Sequence, residues 1–263
     1  MQKYESGSIG EGDLVGGQPS TRADVSMPGT VSRSTFVDML AAQSINRGLK
    51  KAERTRYLLL SKIAERIRQN PTGRITVEML LNDAGLSRGT FYNYFNDVDE
   101  GIYVLLALFL ETWNEGRPTQ RSNQDFFKAI YATNLSYCLR YEENASFFAA
   151  FSYYASSMEK LLDLRNEINA SWAVRTIRAV ERRFQLTMDA AQRTYLEGVV
   201  RMLILMSTGT LEEYYVYQNA QLRAAFRDAH ELAFALSRQW YPALSNPAFA
   251  MGEMVQYEAL RRV

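Results

Sequence analysis

Two residue types are nearly missing from this 263-residue chain, which has one cysteine, Cys138, and one histidine, His230. A lone cysteine cannot close an intrachain disulfide, so nothing points to an oxidising compartment. A lone histidine rules out a metal site built on several imidazoles and leaves one candidate for a Ser/His/Asp arrangement. His230 falls in a helical stretch, Ala225–Leu236, close in sequence to Asp228 and Glu231. It reads as a partly buried or interface histidine rather than a catalytic one. No glycine-rich phosphate loop or other catalytic signature appears, so no catalytic residue, cofactor or metal is assigned. Long apolar runs are missing too. The longest, Ile102 to Leu110, is far short of a bilayer span, and the polar, Gly-rich start has no apolar signal-peptide segment. The expectation is a cytoplasmic protein without membrane contact.

What is present is an ordinary apolar fraction, 47%, with a rich aromatic supply of 16 Tyr and 13 Phe. That is enough for a sizeable core. The net charge of +1 hides an asymmetry, because residues 47–96 hold ten Lys or Arg against four Asp or Glu. A basic segment in a neutral chain points to a polyanion, although such a run by itself is usually a solvated face.

Along the chain, residues 1–33 carry six Gly and no apolar periodicity, a composition expected to stay disordered. Residues 34–48 read as an extra helix or arm, capped by Ser34, with Phe36, Leu40 and Met39 as an apolar stripe. Gly48 marks a break. Beyond it no strand alternation appears, and apolar residues recur at helical spacing, as in Leu59, Ile63 and Ile67. Stops are read at Asn70-Pro71-Thr72-Gly73, at Gly116-Arg117-Pro118 and at Tyr241-Pro242. The fold class is therefore all-α.

Two short helices are expected between Arg74 and Phe95. Thr76 caps the first, with Ile75 as a staple residue and Val77, Leu80 and Leu81 on its buried side. Ala84-Gly85-Leu86 makes the turn, Gly85 allowing positive φ. Ser87 caps the second, a helix of about eight residues, in which Phe91 and Phe95 share the inward face. Gly89 and Asn93 fall opposite, with Thr90, Tyr92 and Tyr94 on the flanks, and Arg88 reaches past the helix tip. Such a surface suits a DNA major groove: Gly89 permits close approach and Arg88 offers a bidentate contact to guanine.

The run from Ile75 to Phe95, with its Thr-Val opening, Ala-Gly-Leu-Ser turn and Gly-Thr-Phe-Tyr-x-x-Phe ending, resembles the DNA-binding signature of the TetR family of bacterial repressors. Each of these pieces falls at the family's expected spacing, the ending being Gly89-Thr90-Phe91-Tyr92-Asn93-Tyr94-Phe95. A first helix at about Arg54–Gln69 and a fourth starting near Asp97 complete a head of roughly 60 residues. The resemblance implies a helix-turn-helix head over 49–116 and a larger helical ligand-binding and dimerisation body over 117–263. It implies that Thr76 binds phosphate at a helix N-terminus. Arg88, Gly89 and Asn93 would face bases, while Ser87, Thr90, Tyr92 and Tyr94 would hold phosphates or the groove wall. Two positions depart from the family pattern. Val98 stands where a phosphate-contacting Lys is usual, and Gly101 replaces a common Leu, which is expected to loosen the fourth helix. Arg47, Lys50, Lys51 and Arg54, with Arg56, are expected to compensate, residues 34–56 acting as an arm along the DNA backbone or in a minor groove; a helix packed on the partner subunit or a solvated tail is the alternative.

In the body, the segment Asn144–Met158 and its neighbours concentrate aromatic residues, which by themselves are more often core than pocket. The resemblance implies an effector cavity there. Trp113, Phe127, Tyr131, Asn134, Phe148, Phe151, Tyr154 and Trp172 are its expected lining, for a small hydrophobic ligand of aromatic or polycyclic kind. The last long helices, about Ala190–Tyr217 and Leu222–Trp240, carry broad apolar faces and are expected to form a homodimer that reads a palindromic operator in double-stranded DNA. The function expected is a ligand-responsive transcription regulator, a repressor released by its effector. The alternative keeps the ligand-binding body and makes the head a protein-interaction module. An enzyme on this scaffold finds no support among the residues.

Overall fold

The computed structural model describes residues 35–115 and 125–245, with side chains at 35–112 and 125–245. The expected tail at 1–33, the Ser34 cap, the Gly116–Pro118 stop and the Trp113 side chain lie outside the described residues. Ten α-helices and one π-helical turn, but no strand, are found among them.

Helix α1, Phe36–Ile45, is capped by Thr35. The Thr35 N–H donates to Asp38 Oδ2 at 2.9 Å while Thr35 Oγ1 accepts from the Asp38 N–H at 3.3 Å, a reciprocal box that satisfies two orphan donors. Chain reversal through Gly48 leads to α2, Lys51–Gln69, where the Lys50 N–H donates to Glu53 Oε2 at 2.8 Å. Asn70 ends α2 before Pro71, as the sequence predicts. Two short helices follow, α3 at Val77–Ala84 and α4 at Arg88–Tyr92, then α5 at Val98–Glu115. The second short helix is five residues, not about eight, although the Phe95 N–H still reaches the Phe91 carbonyl at 3.1 Å.

The longer helices are α6, Phe126–Ala155, α7, Glu159–Phe184, and α8, Ala190–Leu211. Asn144 interrupts α6 with non-helical angles, φ −126° and ψ 23°. The chain then makes a π-turn at Glu212–Val216, a short α9 at Ala220–Ala225 and α10 at Ala229–Ser245. Two expectations need correcting here. The last helix is not continuous from Leu222, because Phe226 is extended (φ −128°, ψ 117°) and Asp228 caps a new start. Nor does Tyr241-Pro242 stop it. Pro242 lies inside α10 near its described end, where only one backbone donor is lost and Leu244 stays buried.

Two apolar clusters hold the helices. One unites Phe36, Val37 and Leu40 of α1 with the inner faces of α2 to α6, the π-turn and the first half of α10. Phe36 is wedged edge-on against Phe109 of α5 (5.3 Å) and Phe147 of α6 (5.2 Å), so α1 is a packed element of the core and not a free arm. The second cluster joins Ile130 of α6, Ala173, Ile177 and Val180 of α7, Leu196, Val200 and Ile204 of α8, and Trp240 and Leu244 of α10. No helix among the described residues is long and apolar enough to cross a membrane.

Candidate functional site

The segment from Ile75 to Phe95 is fixed almost wholly by local interactions. Thr76 Oγ1 accepts from the Met79 N–H at 3.3 Å, and Ser87 Oγ accepts from the Thr90 N–H at 3.2 Å. Each cap satisfies one donor at a helix start. Gly85 takes the left-handed conformation, φ 63°, and the Leu86 N–H closes back on the Leu81 carbonyl at 3.3 Å, a C-terminal motif that favours glycine. Phe91 and Phe95 are buried with ring centroids 5.7 Å apart. A bidentate ion pair, Arg66 Nε and Nη2 to Asp83 Oδ2 and Oδ1 at 2.7 Å each, ties α3 to α2. The guanidinium holds the Asp83 carboxyl below its ordinary range.

The outward side of this segment is polar. Ser87, Arg88, Gly89, Tyr92 and Asn93 are exposed, while Thr76, Thr90 and Tyr94 are half-buried. Tyr92 stands edge-on to Phe91 at 5.5 Å with about half its surface free. Arg88 Nη2 pairs with Glu78 Oε1 at 2.9 Å, both side chains well exposed. Such a pair contributes little to stability. Gly89 differs from the other two glycines nearby. Its φ is not positive, and a Cβ there would meet nothing closer than Ser87 Oγ at 4.0 Å. Gly101, by contrast, is buried, and a Cβ would fall 2.8 Å from Ile63 Cδ1. The expected loosening of the fourth helix is therefore replaced by a close α2–α5 contact. Val98, at the position where the family has its Lys, packs against the core. Arg47, Lys50, Lys51 and Arg56 are exposed and Arg54 half-buried, and none forms a salt bridge among the described residues.

The aromatic residues expected to line an effector cavity divide into separate groups. Phe148, Phe151 and Tyr154 are buried in the first cluster, Phe148 stacking on Tyr141 at 3.7 Å. Phe127 meets Phe234 at 5.7 Å and Tyr241 at 5.5 Å. The Tyr131 hydroxyl bonds His230 Nδ1 at 2.8 Å, so this exposed histidine has a phenol as its partner. Asn134 is buried and donates to Ser237 Oγ at 3.0 Å. Trp172 lies edge-on to Tyr137 at 4.8 Å. A cavity of about 270 Å³ occurs elsewhere, between α6, the π-turn, α9 and α10, and its lining includes Glu142, Tyr214, Tyr215 and Arg223. None of the expected residues lines it. The only sequence trace of this site was the break in pattern after Tyr217, which reads equally well as a loop.

Among the described residues no group of three or more His, Cys, Asp or Glu is placed to hold a metal ion. Cys138 is buried, and burial pushes its thiol up to about 12. No family model and no curated protein matches the chain. Fold and site define the class plainly: an all-helical protein presenting a short, polar, glycine-bearing helix on one surface.

Proposed function

We propose that this chain is a DNA-binding transcription regulator that acts as a homodimer, a repressor released from a palindromic operator by a small-molecule effector. The observation that carries the reading is Gly89. Glycine in a helix costs about 1 kcal/mol relative to alanine, and neither backbone angle nor intramolecular crowding requires one at this position. Close approach of an outside partner gives a reason for one. Its exposed neighbours Arg88, Tyr92 and Asn93 carry donors, and Arg88 exchanges Glu78 for a base edge at little cost because that pair is solvated. The unpaired cations Arg47, Lys50 and Lys51 at the start of α2 favour phosphates. The sequence resemblance to TetR-type heads supports the same assignment, α3 and α4 standing for the helix-turn-helix.

Dimerisation is supported by α8, whose Tyr195, Gly198, Met202, Leu205 and Gly209 are exposed and recur at spacings of three and four. Met202 and Leu205 are 70% and 63% exposed, and the two glycines let a second helix come close. On α10, Phe234 and Tyr241 extend the apolar face.

Selection of duplexes from a random-sequence DNA library by the full chain tests the reading. Enrichment of a palindrome is expected, with binding lost in Gly89→Val and in Arg88→Ala while helicity is unchanged. Absence of any enriched sequence sinks DNA reading. Light scattering of wild type against Met202→Glu/Leu205→Glu tests the dimer, with a monomer expected only for the variant.

A further inference from the structure

The cavity between α6 and the π-turn lies where two helices are irregular together. Asn144 breaks α6, its Nδ2 donating to the Arg140 carbonyl at 3.0 Å, while its Oδ1 is buried without a hydrogen-bond partner. The π-turn opposite places Tyr214 and Tyr215 on the cavity wall. Tyr215 is 7% exposed, and its hydroxyl too is buried with no partner. A buried polar group left unsatisfied costs about 1–3 kcal/mol, and π-turns gather at functional sites.

Charges around the cavity are partly committed. Arg227 pairs with Glu231, and Asp228 Oδ1 accepts from the His230 and Glu231 N–H groups at 2.9 Å each as the cap of α10. Arg223 has its guanidinium 5.5 Å over the Tyr214 ring and one N–H given to Gln218, but no carboxylate. Glu142, exposed, forms no salt bridge among the described residues. Among the described residues, Arg223 and Glu142 thus stand at the same opening without an ion-pair partner, as does the Asp228 carboxylate beyond its two cap bonds.

We infer that this cavity binds a small zwitterion, a free α-amino acid, with its carboxylate on Arg223 and its ammonium on Glu142. A lone anion meets Glu142 and Asp228 there, and a lone cation meets Arg223, so a molecule carrying both charges is matched best. A volume of about 270 Å³ admits a molecule of that size and is small for a polycyclic ligand. Its regulatory meaning, as the effector site, rests on the DNA-binding reading; the binding itself does not.

Calorimetric titration of the full chain with each standard L-amino acid tests the site without DNA. Saturable binding of at least one is expected, with its des-amino and decarboxylated analogues each weaker by about tenfold or more. Arg223→Gln and Glu142→Gln, both at exposed positions, are expected to weaken it by about tenfold. No heat from any amino acid at millimolar concentration, equal binding of the analogues, or binding untouched by both charge-removing substitutions overturns the inference. If an amino acid binds but selects no change in DNA affinity, the site stands and its assignment as effector site falls.

Discussion

The stretch from Thr76 to Phe95 and the region where α6 meets α10 are held by opposite kinds of interaction. In the first, the caps reach three residues along the chain, and Phe91 meets Phe95 one turn away. In the second, the partners are remote: Tyr131 with His230 and Asn134 with Ser237 are 99 and 103 residues apart, and Ser152 with Glu212 is 60 apart. Local bonds make a rigid, repeatable surface element. Remote ones allow kinks, a π-turn and a cavity, because each irregular turn is compensated by whatever packs against it. A binding surface that must hold its shape is built from the first kind, and a cavity from the second.

The largest effect expected is at the anchor of the local element. Phe91 has no exposed surface, and Phe91→Ala is expected to cost about 3–5 kcal/mol in urea unfolding, with loss of any DNA binding. Gly101→Leu restores the residue usual in the resembling family, yet here it collides with Ile63. Destabilisation of about 1–3 kcal/mol is expected, partly relieved by Ile63→Ala in the same chain; an unchanged melting temperature would show that the α2–α5 contact is looser than described.

In the remote region, Cys138 offers a pH test. Its folded value of about 12 lies above the ordinary 9.0, so the unfolded chain loses the proton first. The contribution is intact below about pH 9 and falls as pH rises toward 12, with a slope of up to about 1.4 kcal/mol per pH unit. Cys138→Ala is expected to flatten the alkaline loss of stability, and native protein at pH 8 is expected to resist thiol labelling until denatured.

The smallest effects sharpen the comparison most. Thr76→Ala and Ser87→Ala are each expected to cost about 1 kcal/mol and to add, because separate caps share no partner. The cycle Asn134→Ala with Ser237→Ala is expected to be non-additive by about 0.5–1 kcal/mol, since the two side chains bond each other. Additivity in both regions would remove the distinction.

Much of the surface element was legible because its signals are short in range. Thr76, Gly85, Ser87 and the Phe91–Phe95 pair play the structural parts expected of them. The expectation failed where a side chain's role depends on a distant neighbour. Gly101 looked like a weak point and is a contact with Ile63. Residues 34–48 read as a helix or arm; the helix forms, but Phe36 packs between Phe109 and Phe147 of the same chain, a placement that the sequence does not indicate. In the body, aromatic composition does not distinguish a ring that fills a core from one that lines a cavity, and Phe148, Phe151 and Tyr154 are buried in the first cluster.

Sequence by itself determined that this protein is helical, where α2 ends, how α3 and α4 are capped and turned, and which two phenylalanines face inward. Those follow from hydrogen-bonding groups and backbone preferences acting within about one helical turn. Tertiary structure alone decided the place of α1, the break between α9 and α10, the passage of α10 through Pro242 and the cavity beside Tyr215. The place of α1, the passage through Pro242 and the cavity are set by surfaces brought together across more than 60 residues of chain, where burial and packing outweigh the local preference of any single residue.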